Sequence, residues 1–168
     1  IKYNDNTAIP TGLDDAAWWD TTDGSTTVIG EGTEDEASNL ADYGRLYNWY
    51  AVNTGKLCPS GWHVPTDEEW TALTDHLGGE WVAGGKMKSS ASDNPAWDGS
   101  NSSGFSGLPG GLRSDLGFNN VGSFGFWWSS SSYSSFAVNR QLNSDQDAIS
   151  RSNGAARKFG FSVRCVRD

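Results

Sequence analysis

The side chains best suited to chemistry are few: two cysteines, two histidines and a surplus of carboxylates, 21 Asp and Glu against 12 Lys and Arg. Cys58 in "KLCPSGWHVP" and Cys165 in "FSVRCVRD" lie far apart, a spacing wrong for a compact metal site or a redox CxxC pair. Two readings of them stand, a pair of buried free thiols and one disulfide tying the middle of the chain to its last strand. The acidic, Trp-, Gly- and Ser-rich composition favours the disulfide, because it suits an oxidising extracellular setting. Closing so long a loop is worth roughly 4–5 kcal/mol in the chain-entropy model. His63 and His76 are the only histidines able to serve as a base, and no GxSxG elbow accompanies them. His76 reads as a partly exposed helix residue. HExxH, EF-hand, P-loop and GxGxxG patterns are all missing. In "SDNPAWDGSN", Asp93, Asn94, Asp98 and Asn101 offer hard oxygen ligands for calcium, but Asx turns explain the same residues and are favoured. No metal or cofactor is therefore expected.

These groups must be held by one ordinary domain, spanning 1–168. Only 36% of its residues are hydrophobic, yet there are 9 Trp, 7 Phe and 5 Tyr, which predicts a core of a few large aromatics. The net charge of -9 leaves no surface for neutralising phosphates, so nucleic acid is not an expected partner. No stretch is long and apolar enough to span a membrane. The opening "IKYNDNTAIP" lacks the regions of a signal peptide, so either a signal has been removed or this is an excised domain.

Residues 1–41 read as a short strand and loops, and "DYGRLYNWYAV" as a short helix with Asp42 as its cap. The clearest signal is "VPTDEEWTALTDHLGG". Thr66 and Glu69 form a capping box, Asp67 and Glu68 suit the positive helix end, Trp70, Leu73 and Leu77 make the buried stripe, and Gly78 stops the helix. From Gly84 a long loop region follows, anchored by Trp97, Phe105, Leu108 and Leu112. In "FGFWWSSS" an extended strand puts Phe124 and Phe126 on one face and turns Trp127 and Trp128 opposite ways. The tract from Ala137 to Ala156 is mostly small and polar, and a closing strand follows from Phe161 to Val166.

The segments "YGRLYNWYAVNTGKLCPSGWHVPTDEEWTALTDHLGG", "GFSGLPGGLR", "FGFWWSSS" and "GFSVRCVRD", in that order, resemble the Fibrobacter succinogenes major paralogous domain of gut bacteria. The resemblance implies an α+β, C-type lectin-like fold: two helices around a small, mostly antiparallel twisted sheet, with a long loop region. It also implies kinship with formylglycine-generating enzymes, through the "P-T-x-x-E-W" helix start and the "GF-x-x-R-C" strand. Those enzymes hold copper on paired cysteines, whereas Cys58 and Cys165 stand where the family's structural bridge would be. The calcium and sugar motifs of C-type lectins are not matched by Asp93-Asn94-Pro95 or Trp97-Asp98-Gly99.

Some members resemble variable proteins of diversity-generating retroelements, in which adenines encoding the C-terminal part of the fold are randomised. Ser144, Asp145, Asp147, Ala148, Ser150, Ser152, Asn153, Gly154, Ala155 and Phe159 are all encodable from an AAC codon in this way, while Gln141 and Gln146 are not. The expectation is a non-enzymatic ligand-binding domain of adhesin or receptor-binding type, displayed on a cell surface, secreted, or carried on a phage particle. Residues 127–168 would supply the binding region and closing strand. Its expected contacts are Tyr133, Asn139, Gln141, Asn143 and the ten positions just named, with Phe159 as the apolar anchor and a protein or cell-surface structure as ligand. The alternatives are an oxidoreductase of the generating-enzyme type and an accessory domain of a larger surface protein.

Overall fold

Short capping signals, more than long amphipathic runs, shape this chain. The computed structural model describes all residues, 1–168. Asp14 accepts from the Ala17 amide at 2.8 Å to start α1 (Asp15–Asp20), which leads to β1 (Thr26–Thr27). Then come α2 (Glu36–Tyr43), β2 (Leu46–Tyr47), α3 (Trp49–Asn53) and β3 (Trp62–His63). After α4 (Asp67–His76) and α5 (Glu80–Met87) the chain is sheet: β4 (Gly110–Ser114), β5 (Gly117–Val121), β6 (Phe124–Tyr133), β7 (Phe136–Asn143), β8 (Ile149–Ala156) and β9 (Val166–Arg167).

The α+β class agrees with the sequence, but there are five helices where two were expected. The single helix read from Asp42 is in fact broken. Gly44, at φ 73°, ends α2, so Asp42 lies in that helix's last turn; Asn48 then starts α3 by accepting from the Ala51 amide at 3.1 Å. The capping box on α4 is present: Thr66 accepts from the Glu69 amide at 3.2 Å, and the Glu69 carboxylate accepts from the Thr66 amide at 2.8 Å.

The main sheet has the order β5-β4-β6-β7-β8, antiparallel except for a short parallel contact between β4 and β6. The expected closing strand is divided between partners. Phe161 and Ser162 bridge to Tyr47 and Trp127, and β9 pairs with β3.

The two adjacent tryptophans on β6 do face opposite ways. Trp128 joins Trp49, Val52, Cys58, Phe126 and Phe161 on one side of the sheet. Trp127 joins Trp70, Met87, Trp97, Leu142 and Ile149 on the other, under α4 and α5. Each buried indole removes roughly 4–6 kcal/mol worth of apolar surface from water before entropy is counted. Three of the buried indoles have a carbonyl partner for their N–H: Trp128 donates to Tyr47 at 2.7 Å, Trp49 to Ser129 at 3.0 Å and Trp18 to Lys158 at 2.8 Å.

Cys58 and Cys165 form a disulfide across Cα atoms 5.9 Å apart, closing a loop of sequence separation 107. Replacing both by Ser should lower unfolding free energy by about 4–5 kcal/mol, read from urea titrations with the slope fitted for each protein, because the unbridged unfolded chain exposes more surface. A loss under about 1 kcal/mol would show that the chain-entropy account does not apply here.

Candidate functional site

Strand register decides which residues of the C-terminal tract reach solvent. Trp128, Asn139 and Ser152 stand opposite one another across β6, β7 and β8, as do Phe126, Gln141 and Ser150. These share the face that carries the Trp128 cluster. Trp127, Arg140 and Arg151 take the other face. Because β8 is the sheet edge, Ser150, Arg151, Ser152, Asn153 and Gly154 are all exposed, on both of its faces.

Two expected contacts, Asn139 and Ala155, are therefore corrected, and a third, Phe159, is partly engaged in packing. Asn139 is 2% exposed, since it sits mid-strand in β7 with a neighbour on each side, and its Oδ1 has no partner. Ala155 pairs with Ala137 inside the Trp128 cluster. Phe159 is half-buried in a stack, 5.7 Å from Phe161 and edge-on to Trp19 at 5.6 Å. It packs against the core cluster and keeps part of its ring exposed.

The β7–β8 turn is held from beneath by an unexpected device. Lys88, 1% exposed, donates from Nζ to the Asn143 and Gln146 carbonyls at 3.1 and 2.9 Å and pairs with Asp98 at 2.7 Å. Asp98 also accepts from the Asp145 amide. Burial raises the Asp98 pKa, but the Lys88 ammonium and that amide outweigh it and leave it lowered. Ser144 is committed to the same support, accepting from the Trp97 indole at 2.9 Å. Asp93 accepts from the Ser90 amide, three residues back, and from the Asn101 side chain. Gly84 and Gly85 let α5 lie directly against the turn, for a Cβ on either would strike Ala148 or Asp147. Ala148 is half-buried there, while Asp145 and Asp147 remain exposed.

At the other end, Tyr133 is 61% exposed and stands opposite Phe136, itself 43% exposed, on the β6–β7 hairpin. Tyr133 and Asp145 thus lie at opposite ends of β7, a strand of 8 residues. At strand rise that is about 23 Å, so the expected contacts form a strip, not one pocket. Gln141 and Asn143 flank it, half-buried. Phe136 was missed by the sequence reading; the exposed aromatic at the start of a strand was the available signal.

A second support also escaped the sequence. Asp67, at the N-terminus of α4, pairs with the buried Arg140 at 2.8 Å and takes both Nε and Nη2 of the exposed Arg151. Arg140 also donates to Thr71 at 3.0 Å. One helix residue thereby fixes β7 and β8 together. His63 is held between Asp168 and Glu69, at 2.6 and 2.9 Å, and these hydrogen bonds, that to Asp168 foremost, raise its pKa. Both ring nitrogens are taken by carboxylates, so neither is presented to a hydroxyl or thiol nucleophile.

A model of the Fibrobacter succinogenes major domain matches residues 1–167. Neither a curated protein nor a solved structure matches the chain significantly.

The Arg151 hydrogen bonds, followed by those of Arg140, hold the Asp67 pKa below its ordinary 3.8 despite partial burial. A lowered folded-state pKa means the stabilisation is complete above the unfolded value and is lost as pH falls through the folded one. Asp67→Ala should cost about 3 kcal/mol at neutral pH, the low end for a broken buried pair because Arg140 keeps Thr71. The deficit relative to wild type should shrink below pH 3.8, as urea titrations at several pH values would show.

Proposed function

The chain belongs to the Fibrobacter succinogenes major domain family, and we propose from its surface geometry that it is a non-enzymatic ligand-binding domain of adhesin or receptor-binding type. It would be secreted or surface-displayed, or part of a phage particle, and its contact surface would be the strip along β8. The observation that carries this reading is the run of five consecutive exposed residues, Ser150–Gly154, on an edge strand held on its far side by Asp67, Arg140 and Lys88. Side chains pointing out from so well-held a strand can change at little cost, since exposed substitutions usually shift stability by under about 0.5 kcal/mol. A strip of this length suits a protein or cell-surface structure better than an enclosed small molecule. Tyr133 and Phe136 are its apolar anchors.

The same geometry narrows where diversification would act. Asp145, Asp147, Ser150, Ser152, Asn153 and Gly154 lie outward, and are the positions we propose as variable. Asn139, Ser144, Ala155 and Phe159 support the scaffold. The C-type lectin-like fold and the retroelement link belong to this proposal, which a near-copy of the 3′ coding region differing only at adenines, beside a reverse transcriptase gene, would support.

Beads coated with the domain should adhere to bacterial or epithelial cells. A combined Tyr133→Ala, Ser152→Lys and Asn153→Glu variant should lose that adhesion while its unfolding free energy moves by under about 1 kcal/mol. Undiminished adhesion by the folded variant would refute the strip. The oxidoreductase alternative needs both thiols free, whereas the Cys58–Cys165 bridge consumes both cysteines of the chain. Intact mass after iodoacetamide separates the two readings: labelling is expected only after reduction, and labelling of the native chain would favour the enzyme.

A further inference from the structure

A cavity of about 340 Å³ opens between the last turn of α2, Leu108 and the segment Ser162–Arg164. No residue of β7 or β8 lines it, so it stands apart from the strip and does not rest on that reading. Tyr43, Tyr47, Leu108 and Trp127 give it an apolar and aromatic surface, and Arg45, Arg164 and Asp42 give it charge.

Both arginines are half-buried and lack an acidic partner. The three fully buried cations each have a carboxylate, Lys88 with Asp98, Arg113 with Asp15 and Arg140 with Asp67, whereas half-buried Arg157, like Arg164, relies on a carbonyl and an aromatic face. Arg45 and Arg164 have no carboxylate within ion-pair distance, although acidic residues outnumber basic ones 21 to 12. Nη1 of Arg45 is buried without a hydrogen-bond partner. Arg164 spends Nη2 on the Ser106 carbonyl at 2.9 Å and lies over the Phe105 ring at 5.0 Å. Burial pushes its pKa down, with no carboxylate to restore it.

A half-buried guanidinium with a donor left unpaired bears part of its desolvation cost, and its planar fork matches a carboxylate. Asp42 and the C-terminal end of α2 also line the cavity. Both are negative, which disfavours a second acid group and suits hydroxyl donors. The volume is at the small end of ligand pockets, which begin at about 300 Å³.

We propose that this cavity binds a small polyhydroxylated carboxylate, its acid group on Arg45 and Arg164 and its hydroxyls toward Asp42. That chemistry is shared by free sugar acids and by the uronate units of acidic polysaccharides. Calorimetric titration of the intact domain with galacturonate, gluconate and a galacturonate trimer tests it, with galactose and acetate as controls. At least one of the three acids should bind saturably with Kd below about 1 mM, and galactose should not bind. A preference for the trimer identifies a polysaccharide source, and a preference for the monomers a free acid. Arg45→Gln should weaken binding about tenfold or more, the scale of one charge-assisted contact. Asp42→Asn, which disturbs no ion pair, should weaken it about threefold and leave any acetate binding unchanged. Absence of saturable binding by all three acids, equal binding of galactose, or unchanged affinity in folded Arg45→Gln or Asp42→Asn protein would overturn the proposal.

Discussion

The rest of the molecule depends on two neighbouring indoles that must be buried on opposite sides of one strand. Trp127 and Trp128 on β6 leave no solvent-facing side to the middle of the sheet, so each face needs its own cover. On one side the cover is α4 and α5, with the Trp70 indole donating to the Trp128 carbonyl at 3.3 Å. On the other it is α3 and the chain around Phe161, with the Trp128 indole donating to Tyr47. An aromatic core of this kind is directional. An indole that enters brings an N–H that seeks an acceptor, and for Trp18, Trp49, Trp70 and Trp128 those acceptors are main-chain carbonyls of distant segments. Loops that lack regular hydrogen bonding are thereby fixed in place.

Buried cations do for the turns what the indoles do for the core. Lys88 is placed where it can satisfy two carbonyls of the β7–β8 turn, and Arg113 reaches the Leu13 carbonyl at 2.6 Å, tying β4 to the first helix. Each is worth keeping charged only because a carboxylate lies beside it, for an unpaired ion in the interior is strongly destabilising. The result is a domain of modest apolar content in which polar cross-links specify the positions of long loops.

Much of the scaffold was legible from sequence, because its signals are local. The capping box at Thr66 and Glu69 needs four residues to read, and the opposed tryptophans need two and the pleat of a strand. Other features rest on partners far along the chain. A two-residue strand such as β2 has no periodicity, and exists because Thr26 and Thr27 pair with it. Asn48 caps a helix only because Gly44 first ends α2, a break that the helical spacing of Leu46, Trp49 and Tyr50 conceals. Burial of Asn139 and Ala155 follows from strand register, which shifts at a bulge between Ala137 and Asn139 and cannot be counted off the sequence. Asp67 was read correctly as a helix-start acid, but its pairing with Arg140 and Arg151 required three elements to be assembled first.

The bridge between Cys58 and Cys165 encloses nearly everything that faces outward from the sheet: β3 to β8, both exposed hairpins and the cavity wall at Ser162–Arg164 all lie within its loop. A protease that cuts once at an exposed tip such as Ser134 or Asp145 therefore releases nothing. The severed halves remain one covalent molecule with the sheet still assembled, so that damage at the most accessible points of the surface does not shed the part that makes contact.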